Sequence, residues 1–175
     1  MNFHRRYLAT FLFALTGLCG AGASLGQTYL EPREFIADVL GSVPAPKTLW
    51  LNREMQSEVA AILGHPPRQL RQRYWSVNAK DVWILDETGK EDLITAGFVI
   101  VNGRIDHVRV LVYRESRGQE IRYPSFLGQF KDSKLAAGDR LDRDIDGISG
   151  ATLSVAAMER MARLALYLDG KSRSQ

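Results

Sequence analysis

The chain predicts an α+β domain: a central antiparallel meander flanked by N-terminal helices and a C-terminal helix. Three observations carry this. Arg73–Val77, Val82–Asp86, Leu93–Val101 and Arg104–Tyr113 are successive runs rich in Val, Ile and aromatic residues. Asn102-Gly103, between the last two, is a two-residue hairpin signal. On either side of this centre the apolar residues recur at helical spacing instead.

Glu31 to Leu40 is predicted to be a short helix, with Pro32 in its first turn and Gly41 after its end. Pro44 and Pro46 then break the chain. A second helix is predicted from Asn52, its cap, to Leu63, with Met55, Val59, Ile62 and Leu63 facing inward and Gly64 ending it. Pro66 and Pro67 reinforce that stop. In the last strand Val108, Val110 and Val112 alternate with Arg109, Leu111 and Tyr113, which makes one face core and the other mixed. The final helix starts at Thr152, with Leu153, Ala157, Met161, Leu164 and Leu168 as its apolar stripe. The expected organisation is an export signal over 1–23, a helical segment over 28–72, the main domain over 73–170 and a tail over 171–175.

The signal rests on Arg5 and Arg6, an apolar run from Tyr7 to Leu18, and small residues ending at Ala23. Cleavage is expected after Ala23, with Gly26 as a second choice and an uncleaved anchor as the lesser reading. The destination is periplasmic or otherwise extracytoplasmic. Cys19, the only cysteine, lies within the signal. The mature chain therefore has no disulfide, iron–sulfur or thiolate chemistry, and redox activity needs a bound cofactor. Export removes Arg5 and Arg6 from 23 basic residues set against 20 acidic ones, so no nucleic-acid surface is indicated. His65 and His107 are far apart in sequence and are expected to be structural or surface residues, not metal ligands.

Asp146-Gly147-Ile148-Ser149-Gly150-Ala151-Thr152 is the stretch that carries chemistry. It sets a small-residue turn and a hydroxyl directly before a helix. Thr152 falls about 140° around the axis from the apolar stripe, so its hydroxyl points away from the core. The unpaired N–H groups and dipole of a helix start favour a phosphate ester there. Gly147 and Gly150 allow the backbone to approach a bulky anion. The bland alternative is that Asp146 or Ser149 caps the helix. Gly147-Ile148-Ser149-Gly150-Ala151 also approaches a nucleophile elbow, but that class needs a histidine after its serine, and the last histidine is His107.

These seven residues resemble the flavinylation motif of the FMN-binding domain found in the C subunit of the sodium-translocating NADH:quinone reductase and the G subunit of the Rnf complex. The resemblance spans roughly Ala79 to Asp169. It implies that Thr152 is joined to FMN by a phosphoester. It also implies that a separate FAD-dependent flavin transferase makes the bond, reading Asp146, Ser149, Gly150 and Ala151 around the acceptor. The family's Glu-Thr-Pro-Gly element, which borders the flavin, corresponds to Glu115-Ser116-Arg117-Gly118, where Arg117 replaces proline. Gly118 would permit a turn close to a planar ring, and Arg117 or Arg122 would balance phosphate or reduced-flavin charge. Trp50, Trp75, Trp83 and Tyr123 are candidates to stack on that ring, although aromatics in a small domain usually pack the core.

The expected function is an exported electron carrier with covalent FMN that receives electrons from a membrane-bound redox partner. No Gly-x-Gly-x-x-Gly fingerprint suggests direct use of NADH. The rival is a cofactor-free exported binding or accessory module whose Ser-Gly-Ala-Thr turn is only a helix cap. A self-sufficient reductase is a third reading, for which the sequence offers no dedicated acid–base pair.

Overall fold

A computed structural model of the protein describes residues 26–174, so the export signal read at 1–23 lies outside the described residues. The elements run β1 (Gln27–Thr28), α1 (Pro32–Leu40), β2 (Lys47–Trp50), α2 (Arg53–Leu63), β3 (Arg71–Val77), β4 (Lys80–Thr88), β5 (Leu93–Val101) and β6 (Arg104–Tyr113). Two 3₁₀ turns flank α3 (Pro124–Leu127), and β7 (Leu135–Ala136) and β8 (Arg140–Leu141) form a small separate ribbon before α4 (Thr152–Arg173). This is an α+β fold built on a six-stranded antiparallel sheet ordered β1-β6-β5-β4-β3-β2.

Local chemistry explains the joints. Asn52 caps α2 by accepting from the Met55 amide at 2.9 Å, and Gly64 ends the helix in the left-handed region. Asn102 and Gly103 both have positive φ, as the tight turn between β5 and β6 demands. Asn78 and Ala79 do the same between β3 and β4. Two strands depart from the sequence reading. Residues 28–72 are not purely helical, because β1 pairs with β6 and β2 pairs with β3, adding a strand at each edge of the predicted meander. Pairing with Arg71–Tyr74 makes Lys47–Trp50 a strand despite the prolines before it.

Helices cover both faces. On one, α2 and α4 bury Met55, Val59, Met158, Met161 and Leu168 against Trp83, Phe98, Ile100 and Val108. On the other, α1 sets Phe35 and Ile36 on Val82, Val99 and Leu111. A Cβ on Gly97 would lie 2.2 Å from the Phe35 ring, so glycine is what lets α1 dock. The expected single core face of β6 is corrected by a bulge. Thr95 faces Val112 but the next residue, Ala96, faces Val110, which leaves Leu111 as an extra residue and reverses the alternation beyond it. Tyr113 consequently joins Val108 and Val110 on the α4 face, while Val112 packs on the α1 side.

The α4 helix is buried along most of its length and tied down by its polar residues. Arg160 donates to Glu87 and to the Thr88 carbonyl, Arg163 to the Ile62 carbonyl, and Tyr167 to Glu58. The helix continues through Lys171 and Arg173, so residues 171–173, expected as tail, are its last turn. Leu153 is also corrected: it is 52% exposed on the cleft, because the first turn of α4 turns Ser154 and Val155 inward instead.

Candidate functional site

A cleft of about 610 Å³ opens where the β4–β5 loop, the segment after β6 and the start of α4 converge. It is lined by Lys90, Glu91, Glu115, Ser116, Arg117, Gly150, Ala151, Thr152, Leu153 and Ser154. Its volume lies within the range of about 300–1,000 Å³ typical of small-molecule sites. Six of the eleven residues in the two stretches read from sequence, Glu115, Ser116 and Arg117 from one and Gly150, Ala151 and Thr152 from the other, thus meet at one cavity although they lie far apart in the chain.

Thr152 is the first residue of α4 and is exposed. The N-cap is Ala151, and no side chain caps the helix. Asp146 and Ser149 therefore do not perform the capping that the bland reading assigned to them. The helix start keeps its amide donors and dipole free for an anion at the cleft rim. Gly150 has φ of +80°, and the Ala151 amide donates to the Ile148 carbonyl at 3.0 Å, closing the turn that delivers the chain into α4. Gly147 is not in the left-handed region, and no atom would obstruct a Cβ there. Asp146, Gly147 and Ser149 are exposed and outside the cleft lining, and the Asp146 amide donates to Gln129 at 2.7 Å.

The opposite wall is built by Glu115. Its Oε1 accepts from the amides of Lys90, Glu91 at 2.8 Å and Asp92 at 3.1 Å. A carboxylate bound to three backbone donors fixes the tight loop joining β4 to β5. Gly89 makes room, since a Cβ there would lie 2.6 Å from Glu115 Oε1. Glu115 thus shapes the cleft by holding the loop. Arg117 is exposed and makes no ion pair among the described residues, which leaves it available to an anion. Arg122 turns elsewhere, lying over the rings of Tyr29 at 4.7 Å and Tyr123 at 5.5 Å.

The sequence reading overlooked the residues under the cleft. Tyr113 is 2% exposed; its hydroxyl donates to the Arg117 carbonyl and lies 3.1 Å from the Ser154 hydroxyl. Burial raises its pKa above the ordinary tyrosine value. Gly118, with φ of +83°, packs above this pair and the Ala151 methyl instead of lining the cleft. Lys90 and Leu153 complete the rim, with the Lys90 ammonium 3.0 Å from Glu91. None of the four aromatics considered for stacking lines the cleft. Trp83 is buried and stacks on Tyr74 at 4.5 Å, and Trp50 stands exposed on the edge strand β2.

The histidines lie outside the cleft. His65 approaches Glu87 at 3.1 Å and His107 approaches Asp106 at 2.9 Å. Among the described residues, no group of three or more His, Cys, Asp or Glu is placed to hold a metal ion, and no helix is long and apolar enough to cross a membrane.

An uncapped helix start, a free guanidinium and a roomy cleft fit a phosphate-bearing planar cofactor. Residues 89–167 match the family model of the FMN-binding domain. No curated protein and no solved structure matches the chain. That span contains the cleft from the β4–β5 loop to α4, and over it the chain is similar to the FMN-binding domain.

Proposed function

We propose that this protein is an exported electron carrier holding FMN by a phosphoester on Thr152. The observation that supports the attachment most directly is an exposed threonine at the uncapped start of α4, on the rim of the cleft. The Thr152 oxygen acquires a bond to phosphorus as the phosphoanhydride of FAD breaks. AMP leaves, and the hydroxyl proton passes to solvent or to a base of the separate transferase. Asp146, Ser149 and Gly150, exposed beside the acceptor, form the surface that transferase reads, with the buried Ala151 fixing the turn beneath them.

FMN supplies one- and two-electron chemistry when bound, and the protein's residues position it. The α4 amides and Arg117 hold the phosphate end. Glu115 keeps the β4–β5 loop in place as the facing wall. Ser116, on the cleft lining, would offer its hydroxyl to the cofactor. A covalent tether keeps the cofactor from being lost outside the cytoplasm, the location supported by Arg5, Arg6 and the apolar run after them. With no dinucleotide fingerprint, the electrons come from a partner, and a membrane-bound redox protein is the proposed donor.

The test is intact mass and peptide mapping of protein matured in transferase-competent cells. A gain of FMN less one water on the Thr152 peptide, absent in Thr152→Ala, is expected. An unmodified peptide from such cells would defeat the reading and favour the cofactor-free binding module.

A further inference from the structure

Cleft shape depends on how the segment after β6 is registered against the start of α4, and a single side chain spans the two. Tyr113 ends β6. Without the bulge at Leu111 the strand would present Val112 to α4, and no hydroxyl would reach the helix. With it, the buried Tyr113 ring carries its hydroxyl under the junction. The one phenolic proton goes to the Arg117 carbonyl, so at 3.1 Å the Ser154 hydroxyl is the donor to the Tyr113 oxygen. Ser154 is itself 5% exposed and belongs to the first turn of α4, two residues after Thr152. The loop passes directly over this contact at Gly118, where a Cβ would come within 2.9 Å of the Tyr113 hydroxyl, 3.1 Å of the Ala151 Cβ and 3.2 Å of Ser154 Oγ.

We infer that the Tyr113 hydroxyl is the positioning group of the flavin site, locking Arg117 and the Thr152-bearing turn of α4 at a fixed separation across the cleft. The inference rests on the proposed flavin attachment and deepens it. Arg117 is exposed, and its side chain has no carboxylate partner among the described residues; what orients it is the main chain, held at its own carbonyl by Tyr113. The helix start is likewise without a side-chain cap, and Ser154 gives its first turn a side-chain anchor to the sheet. Burial keeps the phenol protonated across the ordinary pH range, so the donor to Arg117 persists. A residue that merely filled core space would be replaced by phenylalanine without consequence for the cofactor. A positioning hydroxyl would not.

The experiment compares wild type, Tyr113→Phe, Ser154→Ala and Ile100→Val as full-length protein matured in transferase-competent cells. Ile100 is fully buried near the β5–β6 turn, at the far end of β5 from Tyr113, and its trimming serves as the stability control. All three variants are expected to lose about 2–4 °C in Tm, as one lost hydrogen bond or methylene gives in a domain of this size. Only Tyr113→Phe and Ser154→Ala should alter the visible circular dichroism of the flavin, shift its midpoint potential and raise iodide quenching severalfold. Hydrogen exchange at the Ile121 and Val155 amides, which donate to the Gly118 and Ala151 carbonyls, should rise in the same two variants. A flavinylated Tyr113→Phe protein with wild-type dichroism, potential and quenching would overturn the positioning role and leave the flavin reading intact. Wild type without flavin would overturn both.

Discussion

Gly118 runs so close beneath the α4 start that a methyl group on it would meet the Tyr113 hydroxyl at 2.9 Å, in a backbone conformation with φ of +83°. Two independent penalties therefore act on one substitution. A side chain in the left-handed region costs about 1–3 kcal/mol. The hydroxyl cannot retreat, because it is held by Arg117 and Ser154. Gly118→Ala is expected to destabilise by about 2 kcal/mol or more, read as a lowered urea midpoint at unchanged m-value. Gly147→Ala is the contrast. Its φ is not in the left-handed region and nothing would meet the added methyl, so stability should stay within about 0.5 kcal/mol of wild type.

Glu115 supports a different prediction because its bonds reach the amides of residues 90–92. Glu115→Ala removes the acceptor from three donors, while Glu115→Gln keeps a carbonyl oxygen without the charge. The alanine variant should lose about 1–2 kcal/mol, moderated by water reaching this half-exposed loop. Amide exchange of Lys90, Glu91 and Asp92 should accelerate in alanine and less in glutamine. Equal protection in wild type and Glu115→Ala would show that the hairpin holds the loop unaided.

Thr152→Ala separates chemistry from fold. Thr152 is exposed and caps nothing, and alanine is the better helix former, so the apoprotein should keep its stability within about 0.5 kcal/mol. All bound flavin should be lost to denaturing gel fluorescence. Thr152→Ser retains a hydroxyl at the same position and is expected to keep some flavin. A large stability loss in Thr152→Ala apoprotein would instead make the threonine structural.

Sequence legibility follows the range of the interactions. Asn52, Gly64 and Asn102-Gly103 act on their neighbours, and their roles could be read directly. β2 could not, because it exists through pairing with β3 and the preceding prolines suggested only a break. Tyr113 was hidden by the bulge, which shifts the strand's two-residue period without a local signature. Leu153 was misread because helical spacing alone does not fix which side of the first turn meets the sheet, and in α4 that side carries Ser154 and Val155. At the site, the segments 115–118 and 146–152 were visible as chemistry-bearing stretches. Their union with Lys90 and Ser154 depended on the sheet.

Asp169 gives a pH dependence opposite to that of most carboxylates. It is 1% exposed, near the C-terminal end of α4, with Asp81 beside it and Arg173 Nε 3.1 Å from its Oδ2. Burial, reinforced by the contact with Asp81, pushes its pKa up from 3.8 to about 7, with Arg173 acting in the opposite direction. Since the folded value exceeds the unfolded one, the folded state binds this proton more tightly. The resulting stability is complete below about pH 4 and is lost as pH rises toward 7, where Asp169 and Asp81 share Arg173 as two charges. Asp169→Asn removes the titration. Its stability relative to wild type should therefore improve steadily from pH 4 to 7 and level off above, as followed by urea midpoints across that range. A relative decline over the same interval would mean that Asp169 is held ionised by Arg173 throughout, reversing the balance between burial and ion pairing assigned to this cluster.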